Sequence, residues 1–216
     1  MSHHKDSRGQ FGKVAVLYGG TSTEREISLI TGQAVWEALV RCDVDAHLVD
    51  TKQGFLTRMQ TDNFKTAWIA LHGSDGEDGK IQSFLESMNI RFTGSGSLSC
   101  SLTMNKLFTK KILSNNGFKT PDFLQVTNSD DYEKIVKKIK LPFVLKPCSQ
   151  GSSIGVYIIE NRRNYEKKLK ALNDFNDWII AESYIAGPEY TASFLDGGVL
   201  PLVKIDAGQN EFYDYK

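Results

Sequence analysis

No apolar run in the 216 residues approaches the ~20 needed to span a bilayer. The opening stretch MSHHKDSRGQF is polar and lacks an apolar h-region, so it is not a signal peptide; residues 1–12 read as a disordered tail. Excess charge of one sign is also missing. Twenty-six basic side chains balance 26 acidic ones, so bulk charge points to neither a nucleic-acid nor a membrane partner. Cysteine is scarce: Cys42, Cys100 and Cys148 are odd in number and widely spaced. That pattern has no metal-type spacing and fits reduced, cytoplasmic thiols. Neither G-x-G-x-x-G nor G-x-x-x-x-G-K-[ST] occurs, which removes the dinucleotide and P-loop fingerprints. No internal repeat or low-complexity tract stands out.

What is present is the composition of a globular protein, with 40% hydrophobic and 24% charged residues. The length allows one large domain or two small ones. KVAVLY (13–18) reads as a buried strand ending in Gly19-Gly20. Apolar residues then recur at helix spacing from Ile27 to Leu39. Strand-like runs at 46–50 and 67–71 and a helical stripe through Ile81, Phe84, Leu85 and Met88 complete a parallel α/β pattern. GSGSLSCS (94–101) reads as a Gly/Ser-rich junction. One helix is expected to follow it, carrying Met104, Leu107, Phe108 and Ile112 on one side. LPFVLK (141–146) and GVYIIE (155–160) read as an antiparallel hairpin with a long tip, and 178–182, 189–195 and 199–205 as three more strands.

Five stretches carry candidate chemistry. GGTSTEREIS (19–28) opens the first helix; its glycines could let backbone N–H groups meet an anion, or Glu24 and Glu26 could simply favour the helix dipole. LHGSDGEDG (71–79) follows the third strand, where open α/β sheets bind ligands, so His72 is well placed; a structural histidine is the alternative. Its acidic residues lack the alternating pattern of an EF-hand. Lys106 on the MNKLFTKK helix reads either as a solvated side chain or as a cation aimed at phosphate. KPCSQGSSIGV (146–156) is far longer than a hairpin tip requires. Its backbone and hydroxyls could fold over phosphate with Lys146 as a point charge, or the loop could be an uninvolved tip. AESYIAGPEYT (181–191), with Glu182 at a strand end and Glu189 after a Gly-Pro turn, could offer backbone groups to an adenine edge and a carboxylate to a ribose, or could be an ordinary turn.

In this order the motifs resemble the D-alanine–D-alanine ligase family of ATP-grasp enzymes. The stretches that carry the likeness are LYGGTSTEREIS, LHGSDGEDG, TGSGSLSCSLTMNKLFTK, LKPCSQGSSIGV, GPEYT and FYDYK, together spanning Lys13 to Lys216. The resemblance implies an N-terminal parallel α/β substrate domain (13–96), then an ATP-grasp fold of α+β character. The latter comprises a central subdomain (97–180) and the start of a C-terminal domain (181–216). By the same resemblance, ATP phosphorylates one D-alanine and a second attacks the acyl phosphate, in a cytoplasmic homodimer making peptidoglycan precursor.

Glu26 matches the family residue for the first D-alanine's ammonium group, and His72 the histidine beside the substrate carboxylates. Lys106 and Lys146 match the two phosphate lysines. Ser152 resembles the serine tying the flap to the substrate glutamate, and Ser153 the one holding the second D-alanine's carboxylate. Glu182, with Ser183 and Ile185, matches the adenine segment, Glu189 the ribose carboxylate, and Tyr213 a tyrosine near the phosphates. The family's catalytic arginine and its Mg²⁺ ligands have no match here, so the Mg²⁺ ligands are expected beyond residue 216 and the chain as written is expected not to ligate. Completing the family pattern takes roughly a hundred more residues, about one small domain. A non-catalytic binding chain, or a ligase for D-lactate or D-serine, are the alternative readings.

Overall fold

A computed structural model describes residues 9–127, 131–195 and 197–206. The chain divides into two compact units, Met1–Asn105 and Lys106–Lys216.

The first unit is built on a four-stranded parallel sheet. Its strands are β1 (Val14–Tyr18), β2 (Ala46–Asp50), β3 (Thr66–Ile69) and β4 (Arg91–Phe92), in the order β2-β1-β3-β4. The connections are helices α1 (Arg25–Arg41), α2 (Phe55–Thr61) and α3 (Lys80–Ser87), with α4 (Ser97–Met104) closing the unit. Alternation along β1 explains why all of its core residues are apolar. Val14 and Val16 join Val35, Trp36 and Leu39 of α1, whereas Ala15 and Leu17 join Met59, Ile81 and Leu85 of α2 and α3. Helix α1 lies close against the sheet: a Cβ added at Gly32 would fall 2.3 Å from Cβ of Tyr18.

The second unit starts with α5 (Lys106–Asn115). Strands β5 (Phe123–Val126), β6 (Phe143–Pro147), β7 (Tyr157–Ile159) and β8 (Ile179–Ser183) form an antiparallel sheet in the order β5-β8-β6-β7. Helices α6 (Asp131–Ile139) and α7 (Arg162–Asn173) cover one face. Tyr132, Ile135, Tyr165 and Leu172 pack there on Phe143, Leu145, Ile159 and Ala181. Truncating any one of the large members to alanine would cost about 2–5 kcal/mol. Helix α5 packs through Leu107 on Cys148, Ile180 and Phe123.

Two readings of the sequence need correction. The single helix expected from Met104 to Ile112 is two helices. Asn105 turns extended (ψ 104°), and the Lys106 amide donates across to the Cys148 carbonyl at 3.0 Å. The strands expected over 189–195 and 199–205 are each broken. β9 (Glu189–Thr191) pairs with β12 (Val203–Ile205), and β10 (Phe194–Leu195) with β11 (Gly198–Val199). Between the two ladders Ala192 and Ser193 face Leu200, Pro201 and Leu202, a bulge centred on a proline that has no N–H to give the ladder. The hairpin read from 141–146 and 155–160 is present as β6–β7. All three cysteines are free thiols. Among the described residues no helix is long and apolar enough to cross a membrane.

Candidate functional site

Strand alternation assembles the charged centre of the second unit. Along β6, Phe143 and Leu145 point to the helices, so Val144 and Lys146 point to the opposite face. Along β8, Ile179 and Ala181 take the helical side and leave Ile180 and Glu182 on the other. The register pairs Val144 with Glu182 and Lys146 with Ile180, which makes Lys146 and Glu182 diagonal neighbours on one face. The Lys146 ammonium donates to Oε1 of Glu182. Oε2 is held by Lys110 Nζ at 2.9 Å. Burial opposes ionisation of Glu182, but Lys146 and then Lys110 outweigh it and hold the carboxyl below its usual range.

Lys106 lies one helical turn before Lys110, on the same side of α5. Its Nζ donates to the carbonyls of Gln150 (2.5 Å) and Cys148 (3.3 Å), at the root of the β6–β7 loop. Burial, then the Lys146 charge, push its ammonium down. The loop is turn-rich rather than a simple tip. Ser149 N donates to Asp177 at 2.6 Å and Ile154 N to the Gly151 carbonyl at 3.0 Å. Ser152 (φ 49°) and Ser153 (φ 58°) are both left-handed, a conformation uncommon outside glycine.

A cavity of about 290 Å³ opens on this face. Lys146, Ser153, Glu182, Ser183, Ile185 and Glu189 line it, with Val144, Val156 and Ile158 as apolar wall. Six residues singled out from sequence therefore meet in one place. Lys106 is not on the wall, and Tyr213 lies outside the described residues. A larger cleft of about 670 Å³ lies along Gln125, Lys170, Asn173 and Asp177. It gathers none of the residues expected to carry chemistry, so the smaller cavity is the better candidate.

In the first unit the glycine-rich loop is tied down internally. The Gly19 amide donates to the buried Ser28 hydroxyl (2.9 Å), which donates to the Ala70 carbonyl (2.7 Å). Asp75 accepts from the amides of Thr21 and Ser22. Arg25 spans the Gly20 carbonyl (2.8 Å) and both oxygens of Asp50 (3.0 and 2.6 Å). Side-chain hydrogen bonds from Arg25 bring the Asp50 carboxyl down to about 2. The loop amides that might have met a ligand anion thus already meet Asp75. His72 sits beside this loop: Nε2 is 3.1 Å from the Thr31 hydroxyl and Nδ1 is 3.9 Å from Glu77. Burial and the neighbouring Glu24 charge raise the Glu77 carboxyl. Glu26 is exposed in the first turn of α1.

Lys110, Asp50 and Asp75 were not singled out from sequence. Lys110 carried a signal, its four-residue spacing from Lys106. The two aspartates carried none, because the glycine-rich loop and Arg25 that they hold lie 25 to 54 residues away.

Residues 49–95 match the family described as D-ala D-ala ligase N-terminus, and residues 112–216 the one described as D-ala D-ala ligase C-terminus. The chain is 41% identical over 205 residues to a D-alanine--D-alanine ligase of Nitrosomonas europaea, covering 95% of this chain and 67% of that protein. The chain belongs to the D-alanine–D-alanine ligase family. A ligase of Bordetella avium is 39% identical over 211 residues, covering 96% of this chain and 66% of its own length. Among solved structures, a Bacillus anthracis D-alanine--D-alanine ligase superposes with a TM-score of 0.81 at 32% identity, covering 89% of this chain and 64% of that one. The same protein complexed with ATP gives 0.80 at 30% identity, covering 92% and 67%. The chain spans about two thirds of the length of the family members it matches. Among the described residues no group of three or more His, Cys, Asp or Glu is placed to hold a metal ion.

Proposed function

We propose that this chain supplies the first-substrate and ATP-binding parts of a D-alanine–D-alanine ligase serving peptidoglycan precursor synthesis. In that reaction the carboxylate of one D-alanine takes the γ-phosphoryl group of ATP, as the bond from the γ-phosphorus to the β–γ bridging oxygen breaks and ADP leaves. The amine of a second D-alanine attacks the acyl carbon, a C–N bond forms, the C–O bond to phosphate breaks, and the amine sheds its proton. Negative charge gathers on phosphoryl and acyl oxygens, so fixed cations and N–H donors do most of the work.

The observation that carries this reading is the cavity lined by Lys146, Ser153, Glu182, Ser183, Ile185 and Glu189. Its apolar wall suits a flat base, the Lys146–Glu182 pair offers a donor beside an acceptor, and Glu189 supplies a carboxylate for ribose hydroxyls. Lys106 and the β6–β7 loop, with Ser152, would cover the phosphates, and Tyr213 would stand near them. Ser153 would reach the second D-alanine. In the first unit Glu26 would bind the first D-alanine's ammonium group and His72 would face its carboxylate. The chain from 181 on would begin the C-terminal ATP-grasp domain. A cytoplasmic homodimer is part of the proposal, and sedimentation tests the dimer.

Calorimetry with ATP and with D-alanine tests binding. Mass spectrometry of mixtures holding D-alanine, D-lactate or D-serine as acceptor tests the product. ATP binding with D-alanyl-D-alanine formation is the expected result. Binding without product would favour the second reading, a non-catalytic nucleotide- and D-alanine-binding chain. No ATP binding would overturn both.

A further inference from the structure

Lys110 is among the few charged side chains that the second unit buries, with 8% of its surface exposed. Its ammonium is fully engaged. It meets Oε2 of Glu182 (2.9 Å), the Thr120 hydroxyl (2.7 Å) and the Pro121 carbonyl (3.2 Å), and stands 5.3 Å from the Phe123 ring centroid. Burying an ammonium is costly unless its donors are used, and here three acceptors use them. Yet Lys110 does not line the 290 Å³ cavity, whereas its partner Glu182 does. Whatever Lys110 does for a bound molecule it does through that carboxylate.

A carboxylate gripped at one oxygen can swing about its last torsion. Gripped at both, by Lys146 from β6 and Lys110 from α5, it becomes a fixed acceptor beside a fixed donor. The edge of adenine bearing N7 and the 6-amino group offers an acceptor beside a donor. A 6-oxo purine offers two acceptors at the same edge. A fixed, charged carboxylate complements the first and repels the second.

We propose that Lys110 is a positioning residue that locks Glu182 as an acceptor and so sets a preference for 6-amino over 6-oxo purine nucleotides. This rests on the ATP-binding reading above. The plain alternative is that Lys110 only pins α5 to the segment at Thr120 and Pro121. Such a role would weaken every nucleotide alike.

The test is equilibrium binding of ATP and ITP to the full chain, with circular dichroism as the check on folding. Lys110→Met is expected to weaken ATP by about tenfold while changing ITP little, the loss of one charged hydrogen bond's worth of discrimination. Lys110→Arg should keep most of the wild-type preference. In a Glu182→Gln background, Lys110→Met should change ATP affinity by less than about twofold, because a residue acting through Glu182 has nothing left to act on. Lys110→Gln runs beside the methionine variant, keeping a donor without the charge, and serves if Lys110→Met does not fold. Equal weakening of ATP and ITP, or additive effects in the Glu182→Gln background, would overturn the proposal while leaving the ATP reading intact. A wild-type chain that binds neither nucleotide would overturn both.

Discussion

Replacing Asp50 by Asn isolates the clamp that shapes the glycine-rich loop. Asp50 stands at the end of β2 and takes both Arg25 guanidinium nitrogens, plus the amides of Gly20 (3.3 Å) and Lys52 (2.9 Å). Its carboxyl falls from 3.8 to about 2, with the Arg25 hydrogen bonds the largest cause. At 1.36 kcal/mol per pH unit that is a ceiling of about 2.5 kcal/mol. The side chain is 29% exposed, so solvent screening and side-chain entropy bring the contribution nearer to about 1 kcal/mol. The sign is that of a depressed acid: the stabilisation is complete above the unfolded pKa, near 4, and is lost as pH falls through about 2. Asp50→Asn should therefore cost about 1 kcal/mol at pH 7 and about half of that at pH 3. Urea unfolding followed by tryptophan fluorescence measures it. A Trp178→Phe background leaves Trp36 and Trp68, both in the first unit, as reporters. A cost that is the same at both pH values would refute the reasoning, because it would trace to lost geometry rather than to the charge.

Lys146→Ala should abolish ATP binding and also lower the stability of the second unit by about 3 kcal/mol, since it leaves the buried Glu182 with Lys110 alone; unchanged calorimetric affinity would remove Lys146 from the nucleotide site. Ser153→Ala, in a preparation that ligates, should raise the Michaelis constant for the second D-alanine more than that for ATP. An effect confined to ATP would assign Ser153 to the nucleotide side, where the cavity lining already includes it. Gly79→Ala should destabilise the first unit by about 2 kcal/mol or more, because φ is +88° and the new Cβ would lie 2.5 Å from the Ser97 carbonyl and 2.2 Å from the Ser101 hydroxyl; an unshifted urea midpoint would contradict that contact.

Legibility of this fold in sequence follows the range of the interaction. LPFVLK could be read as a strand because alternation is local, and the same alternation puts Lys146 on the face away from α6 and α7. The break at Asn105 was not legible: the helical stripe runs through it unbroken, and only the Cys148 carbonyl, 43 residues on from Asn105, draws the next amide away. The bulge between β9–β12 and β10–β11 had a visible cause in Pro201, but the two-against-three count that makes it a bulge depends on the partner strand.

The candidate site divides along the same line. Residues proposed to touch a ligand stand on motifs at strand ends and loops, where sequence pattern can point to them. Residues that hold those residues still were not singled out. Asp75, for example, sits in GSDGED, whose acidic residues lack the alternating pattern of an EF-hand. The Asp75 carboxylate turns inward onto the Thr21 and Ser22 amides, the groups that a glycine-rich turn would otherwise leave for a ligand anion. The loop is therefore shaped before any substrate arrives, and Glu26 follows it at the start of α1 with no anion required at the backbone. On the proposed reading, the charge that a substrate ammonium would meet there is the exposed carboxylate rather than the helix dipole.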